Sequence, residues 1–495
     1  MTQKDYILAL DQGTTSSRAL IFDSNGELCG SGMEEFPQHF PQSGWVEHDP
    51  EEIWQSQLAS LRTALKVAGL NINEIAALGI TNQRETVLIW DRKTGKPLHN
   101  ALVWQDRRTT ERMQSLGPKE EMVRAKTGLL LDPYFSASKL EWLLDNVDGA
   151  RQLADKGDLA AGTIDSFLVY RLSNGKEHIT DMTNACRTLL FDIHNYRWDN
   201  ELLELFNIPE SILPRVVANS GELAQTNEEI VGAKITINGM AGDQHAALCG
   251  QLCTDTGMVK NTYGTGCFML MLTGEKPVAS NNRLLTTLAW ALPNQPVQYA
   301  LEGSVFVGGA AIQWLRDGLE LIKSAERIND LAAPDNGGIY LVPAFTGLGA
   351  PHWDPRARGI IIGITRGTTS SHIARATLES IAFQSTELAL AMQADCGFEF
   401  KTMRADGGAT ASSVLMQIQA DLLDVSIAVP KIAETTALGA AYFAGLGKGI
   451  WQSFDEIATH WKLDKEYSPK ISQTERERLM SQWQEAVARS RNWAK

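Results

Sequence analysis

Tyr6-Ile7-Leu8-Ala9-Leu10-Asp11-Gln12-Gly13-Thr14-Thr15-Ser16-Ser17-Arg18-Ala19-Leu20-Ile21-Phe22 is the stretch on which the reading of the fold turns. An apolar strand ends in an acid, a glycine and a run of hydroxyls follow, and a second apolar strand carries the chain back. Successive N–H groups in such a turn form a small anion nest, and a carboxylate beside it can hold a metal ion. The turn returns into Ala19-Leu20-Ile21-Phe22 instead of opening a helix, so it is neither a P-loop nor a dinucleotide fingerprint, and the chain contains no G-x-x-x-x-G-K-[ST]. Asp, Gly, Thr and Ser are also ordinary hairpin residues, so the turn acquires chemical meaning only from what surrounds it.

Asn25-Gly26 turns the second strand into a third, and the chain therefore opens as an antiparallel meander. A helix follows, with Asp49 as N-cap, Pro50 at its first position, Glu51 and Glu52 in its first turn, and Trp54, Leu58, Leu61, Leu65 and Ala68 inward. A strand Ala76 to Thr81 comes next. The opening pattern then recurs: Val259 to Thr262, the turn Tyr263-Gly264-Thr265-Gly266, a strand Cys267 to Leu272, and another near Leu284 to Leu292. This is the mark of an internal duplication, two halves with both turns facing one cleft. In the second half, Gly308-Gly309 precedes a helix Ala310 to Leu319, and Ala374, Leu378, Ile381, Leu388 and Met392 line one face of another. A strand Thr402 to Ala405 ends in Asp406-Gly407-Gly408-Ala409-Thr410 before a helix with Ala411, Leu415, Ile418 and Leu422 on one face. A helix N-terminus behind a glycine turn lets a flat or anionic ligand approach the backbone. The last helix, Gln473 to Trp493, reads as a polar tail.

The 495 residues call for two domains. The junction falls near Gln251 to Gly257, which divides the chain into 1–252 and 253–495 with the active site between them. A net charge of -14 without Lys/Arg-rich runs excludes nucleic acid and anionic membranes as partners. Six cysteines with no C-x-x-C fit reduced thiols in a cytoplasmic protein. No signal-peptide profile opens the chain, and no apolar run reaches the roughly eighteen residues of a membrane span, so a soluble intracellular protein is expected.

Arg84 and Glu85 sit in a tight connection after the Ala76 strand, a donor fork beside an acceptor, which suits a ligand with several hydroxyls. Asp243, in Gly239-Met240-Ala241-Gly242-Asp243-Gln244-His245, is an acid among small and apolar residues, able to take the proton of an attacking hydroxyl. It is equally readable as a capped turn acid, as Arg84 and Glu85 are as solvated loop charges. His245 reads as a packed core histidine, and no H-x-x-x-H spacing points to a transition metal. Trp104 and Phe268 read either as core or as a wall for the carbon edge of a small polyol.

Taken together these residues resemble the FGGY carbohydrate kinases of the actin-like ATPase superfamily, over nearly the whole chain. Tyr134-Phe135-Ser136-Ala137-Ser138-Lys139-Leu140-Glu141-Trp142-Leu143-Leu144-Asp145-Asn146 is similar to one family signature. Gly359 through Glu379, with Gly363, His372 and Ala376 in place, is similar to the other. Asn82 to Thr86, Val103-Trp104-Gln105, Asn261 to Phe268 and Phe345 to Pro351 resemble the branch that acts on glycerol, not the pentulose or gluconate kinases. The resemblance implies an α/β fold of two ribonuclease-H-like domains closing on ATP and glycerol across a central cleft. It implies that Arg84, Glu85, Tyr134, Asp243 and Gln244 hold the glycerol hydroxyls, with Trp104 and Phe268 along the carbons and Asp243 as base. Asp11 would position Mg2+ largely through water, while Thr14, Thr15, Ser16 and Arg18 approach the phosphates. Thr265, Gly309, Gln313, Gly408 and Ser412 match the remaining nucleotide positions, although related enzymes often carry Asn where Ser412 stands. His245 replaces the Gln common after Asp-Gln. Homo-oligomers, dimers or tetramers, are common in the family. The rival readings are a kinase of the same family acting on a ketose or longer polyol, and an actin-like filament or chaperone ATPase, which would not need Arg84, Glu85 and Asp243 to converge.

Overall fold

A computed structural model describes residues 6–494 and carries two mixed sheets of the same plan. In the first, Tyr6–Gln12 pairs antiparallel with Ser16–Phe22, which pairs antiparallel with Leu28–Glu35. On its other side Tyr6–Gln12 runs parallel to Ile75–Asn82, and that strand runs parallel to Thr236–Gly242. The second sheet repeats the order: Val259–Tyr263 pairs antiparallel with Cys267–Gly274, and that strand with Gln298–Val305. Thr402–Asp406 and Ser426–Pro430 follow in parallel on the far side. The duplication expected from the two hydroxyl-and-glycine turns is thus a duplication of sheet topology.

The first turn is shorter than the sequence suggests. Asp11 stands opposite Arg18 and Gln12 opposite Ser17 in the ladder, so only residues 13–15 turn, closed by the Gly13 N–H donating to the Ser16 carbonyl at 2.9 Å. Ser17 belongs to the strand, and its hydroxyl lies 2.8 Å from that of Ser56. The helix carrying Ser56, Pro50–Ala68, begins as expected, with the Asp49 side chain accepting from the Glu51 N–H. The expected inward face holds: Trp54, Leu58 and Leu61 are buried, and Leu65 and Ala68, half-buried, pack against the same core. Ile53, Gln57, Ser60 and Ala64 widen that face. The helix lies close on the edge strand, where a Cβ on Gly32 would lie 2.1 Å from the Ser60 carbonyl oxygen. Small residues on the helix lie over glycine on the sheet.

The closing helix is also corrected. It spans Gln473–Ser490 and buries Trp483, Ala486 and Val487. Trp483 stacks on Phe383 of the long helix Ser370–Cys396, with centroids 5.0 Å apart and planes 9° apart. Its polar composition describes the solvent face of an amphipathic helix, not a free tail.

The two halves meet where the helix Asp243–Gly250 crosses the helix Thr435–Lys448. A Cβ on Gly250 would sit 1.9 Å from the Thr435 carbonyl oxygen, and one on Gly439 1.8 Å from that of Ala246. Thr435–Lys448 also lies on the first sheet, where a Cβ on Gly79 would come within 2.3 Å of the Ala440 carbonyl oxygen and one on Gly239 within 2.4 Å of the Ala444 nitrogen. Ala77, Ala241, Ala246, Ala437, Ala440 and Ala441 fill the space around these contacts. Because the obstructing atoms are backbone, no rotamer change makes room. Gly439→Ala is expected to destabilise the protein by at least about 3 kcal/mol, the upper part of the overpacking range, measured by urea titration. A midpoint within error of the parent would show that the helices separate freely.

Candidate active site

The Ile75–Asn82 strand delivers Arg84 and Glu85 into a connection where both are buried. Glu85 has φ of 62°, and the Thr86 N–H donates to the Arg84 carbonyl at 2.7 Å. A non-glycine residue in the left-handed region is a strained backbone held by its surroundings. Here the surroundings are charges. Arg84 donates from Nη1 and Nη2 to the two oxygens of Glu302 at 2.6 and 2.8 Å, and its Nε lies 3.1 Å from Asp243 Oδ1. Arg187 donates from Nε to Glu85 Oε1 at 2.7 Å and from Nη2 to Glu302 Oε1 at 3.1 Å. Burial works against the Glu302 charge, but Arg187 and Arg84 together hold its carboxyl far below the usual range. Burial pushes Glu85 upward, opposed by Arg84 and Arg187. The bidentate geometry makes Glu302 the ionised anchor of the group.

Sequence reasoning missed Glu302 and Arg187. Glu302 is the lone acid in the buried strand Gln298–Val305, and Arg187 is fully buried after Asn184-Ala185-Cys186. A charge in an otherwise apolar stretch was the available signal, since such a residue is buried only when paired.

An aromatic wall stands beside these charges. Trp104 meets Tyr134 edge-on at 5.6 Å and Phe268 edge-on at 6.5 Å, and the Trp104 indole N–H donates to the Thr14 hydroxyl at 3.0 Å. Trp104 therefore ties the turn after the first strand to the aromatic group. Asp243 opens the helix Asp243–Gly250 and keeps 31% side-chain exposure, while its Oδ1 accepts the Gln244 backbone N–H at 2.7 Å. His245 is buried, with Nε2 3.1 Å from the Thr287 hydroxyl, and burial pushes its pKa down, which fits a core histidine.

Asp11 is buried at the end of its strand, and burial raises its carboxyl to about 7, with Arg18 opposing and Glu434 and Asp243 adding to the rise. Arg18 does not point freely toward the turn: its Nη1 lies 2.8 Å from Glu434 of the second half. Thr15 is exposed and Ser16 buried. No three of His, Cys, Asp and Glu among the described residues cluster as a metal cage. A single buried carboxyl whose bare charge is disfavoured fits a cation that keeps most of its water.

The second turn lies between two glycine elements. The Gly308 N–H donates to the Thr265 carbonyl at 2.8 Å, and the Gly309 N–H to the Gly264 carbonyl at 2.8 Å. Gln313 is exposed one turn into the helix Gly309–Asp317. On the other side, Gly407 has φ of 89° and packs on Tyr263, where a Cβ would lie 2.6 Å from the carbonyl oxygen. Gly408 begins a short 3-10 turn and faces open space. The Ser412 hydroxyl donates to Asn329 and accepts from the Leu415 N–H at 3.1 Å, so Ser412 caps the helix Ser413–Leu423. The structure thus brings Arg84, Glu85 and Asp243 together, and sets Thr265 against Gly308-Gly309.

The chain belongs to the FGGY family of carbohydrate kinases: the family's N-terminal domain matches residues 6–250 and its C-terminal domain residues 259–447. It is 56% identical to the glycerol kinase of Deinococcus radiodurans, covering 100% of this chain and 99% of that protein. It is 58% identical to the glycerol kinase of Trichlorobacter lovleyi, over 99% of each. The crystal structure of Plasmodium falciparum glycerol kinase with ADP superposes with a TM-score of 0.93 at 38% identity, covering 98% of both chains.

Removing Glu302 leaves two buried guanidinium groups with one buried carboxylate, Glu85, and the partly exposed Asp243, and the Glu302→Ala variant is expected to lose about 3 to 5 kcal/mol of stability. Denaturant titration checks this, and an unchanged midpoint would show that the anchor carries no weight. Asp11 supplies a pH test. Its folded value of about 7 lies above the ordinary 3.8, so the stability it contributes is complete below pH 3.8 and is lost as pH rises to about 7. The Asp11→Asn variant lacks this loss. Its melting temperature relative to the parent is expected to rise between about pH 4 and about pH 8; a pH-independent difference would refute the assignment.

Proposed function

We propose that the protein transfers the γ-phosphoryl group of ATP to a terminal hydroxyl of glycerol, giving sn-glycerol 3-phosphate and ADP, the first step of glycerol catabolism. The observation that carries this reading is the convergence of Arg84, Glu85 and Asp243 beside the Trp104, Tyr134 and Phe268 wall. Hydroxyls meet the charged side and carbons the aromatic side, which is the division a small polyol requires. Arg84, Glu85, Tyr134, Asp243 and Gln244 hold the hydroxyls. Asp243, partly exposed and fixed by Arg84, takes the proton of the attacking hydroxyl.

Thr14, Thr15, Ser16 and Arg18 face the transferred phosphate, and Arg18 leaves Glu434 to reach it. Thr265, Gly309, Gln313, Gly408 and Ser412 hold the nucleotide, with Ser412 acting through its position at the helix start. Asp11 would hold Mg2+, which would neutralise charge on the phosphates. Residues 1–252 serve the acceptor and the phosphates, and residues 253–495 the nucleotide. Rate enhancement comes from positioning and from excluding water, which would otherwise accept the phosphoryl group. No helix among the described residues is long and apolar enough to cross a membrane; a cytoplasmic homo-oligomer is part of the proposal.

ADP release with Mg-ATP, compared across glycerol, dihydroxyacetone, erythritol, xylulose, gluconate and no acceptor, tests the reading. Turnover confined to glycerol, with weaker turnover on dihydroxyacetone, is expected. Turnover on a longer sugar would replace the substrate, and equal release without acceptor would replace the kinase by an ATPase. In the same assay Asp243→Asn is expected to bind nucleotide but lose about a hundredfold or more in kcat, the size of a general-base contribution. Near-parental turnover would remove Asp243 from that role.

A further inference from the structure

Lys260 is fully buried in the strand Val259–Tyr263 of the second sheet, beside the helix that carries Asp243 and Gln244. A buried ammonium needs acceptors, because its desolvation is otherwise uncompensated. It has three. Lys260 Nζ donates to the Gln244 carboxamide oxygen, to the Thr262 hydroxyl at 2.9 Å and to the Phe268 carbonyl at 3.4 Å. Two of these belong to residues of the acceptor site, and neither contact was foreseen from the sequence, where Lys260 is simply a polar residue inside a strand.

The consequence lies in the chemistry of the amide. The two ends of a glutamine side chain are similar in shape, and what surrounds them decides which way they point. An ammonium group has donors only, so the end of Gln244 that it grips must be the oxygen. Burial lowers the Lys260 pKa to about 8, opposed by Asp406, Asp243 and Glu302, so the group is still largely an ammonium at neutral pH. With its oxygen held by Lys260, Gln244 is fixed in one flip state, with its NH2 group as the end turned away from the ammonium. Among the described residues that NH2 group makes no hydrogen bond, while the backbone N–H of the same residue donates to Asp243.

We propose that Lys260 is a positioning residue for the acceptor site: by occupying the Gln244 carboxamide oxygen it presents the Gln244 NH2 group as a donor to a substrate hydroxyl oxygen. Through the Phe268 carbonyl, the same side chain fixes the aromatic wall relative to that donor. The proposal rests on the acceptor-site reading above. It adds a polarity: the hydroxyl meeting Gln244 accepts a hydrogen bond, while the one meeting Asp243 donates.

The test is a double-mutant cycle on the full-length protein, with Lys260→Met, Gln244→Ala and the double variant, reading KM for glycerol, KM for ATP and kcat. If Lys260 acts through Gln244, each single variant raises the glycerol KM roughly tenfold. The double variant is then no worse than the poorer single one, because coupled residues are non-additive. The ATP KM stays within about twofold, and Lys260→Arg, which keeps a cationic donor, recovers part of the glycerol affinity. Multiplying effects, or a Lys260→Met variant with parental glycerol KM, overturns the proposal. Should Lys260→Met not fold, Gln244→Glu decides alone: it keeps the bond to Lys260 and removes the NH2 donor. It is expected to raise the glycerol KM as much as Gln244→Ala does, whereas a parental KM overturns the proposal. Failure of the functional reading is distinguishable, since the parent protein itself would then show no glycerol-dependent ADP release.

Discussion

The structure depends on a contact between two backbones. Where Asp243–Gly250 crosses Thr435–Lys448, Gly250 and Gly439 each meet a carbonyl oxygen at a distance that no side chain can occupy. A helix from late in the chain thereby rests on the sheet formed by the start of the chain, over Gly79 and Gly239. Two sheets that share a central five-strand order become one molecule through this crossing. Its location matters for chemistry, because the same helix that crosses at Gly250 begins with Asp243. Any relative movement of the halves is therefore felt at the Asp243 carboxylate, in the proposed acceptor site.

The second constraint is electrostatic. Arg84, Glu85, Arg187 and Glu302 form a buried group of balanced charge, and Glu302 reaches it from the second sheet. Burying four charges is expensive, and their mutual attraction offsets the expense only when the geometry is good. What the arrangement provides is orientation: Arg84, held at both Nη atoms by Glu302, can present Nε to Asp243 in only one direction. Lys260 treats Gln244 in the same manner, again from the second half toward the first. In the proposed acceptor site, Arg84 and Gln244 of the first half thus take their directions from Glu302 and Lys260 of the second. Such preorganisation is what phosphoryl transfer demands of a protein, since the chemistry itself needs little beyond position and charge.

Asp11, Arg18 and Glu434 form a third charged group, at the opening turn. The pairing of Arg18 with Glu434 leaves Asp11 with less compensation than the opening turn alone would suggest, and its carboxyl rises accordingly. An incoming cation and an incoming anion would relieve both strains together, the cation at Asp11 and the phosphate at Arg18. Local stability is given up here in a way that binding can restore.

Much of this was legible from residues alone. The strand, turn and strand around Asp11, its recurrence around Thr265, the Asp49 cap and the helix with Ala374, Leu378 and Ile381 on one face follow from local chemistry: alternating or helical apolar spacing, turn residues and capping groups act within a few positions. The chemistry-bearing residues Arg84, Glu85 and Asp243 were visible as charges at the ends of apolar strands. Other features required tertiary structure, because their causes are distant in sequence. The close seating of the Pro50–Ala68 helix depends on Gly32 of another element, the burial of Trp483 on Phe383, and the roles of Arg187 and Glu302 on partners far away along the chain. Sequence determined which elements form and which residue types stand at their ends; only tertiary structure decided which way those side chains point, because a buried charge takes its direction from whichever partner the fold brings within hydrogen-bonding distance.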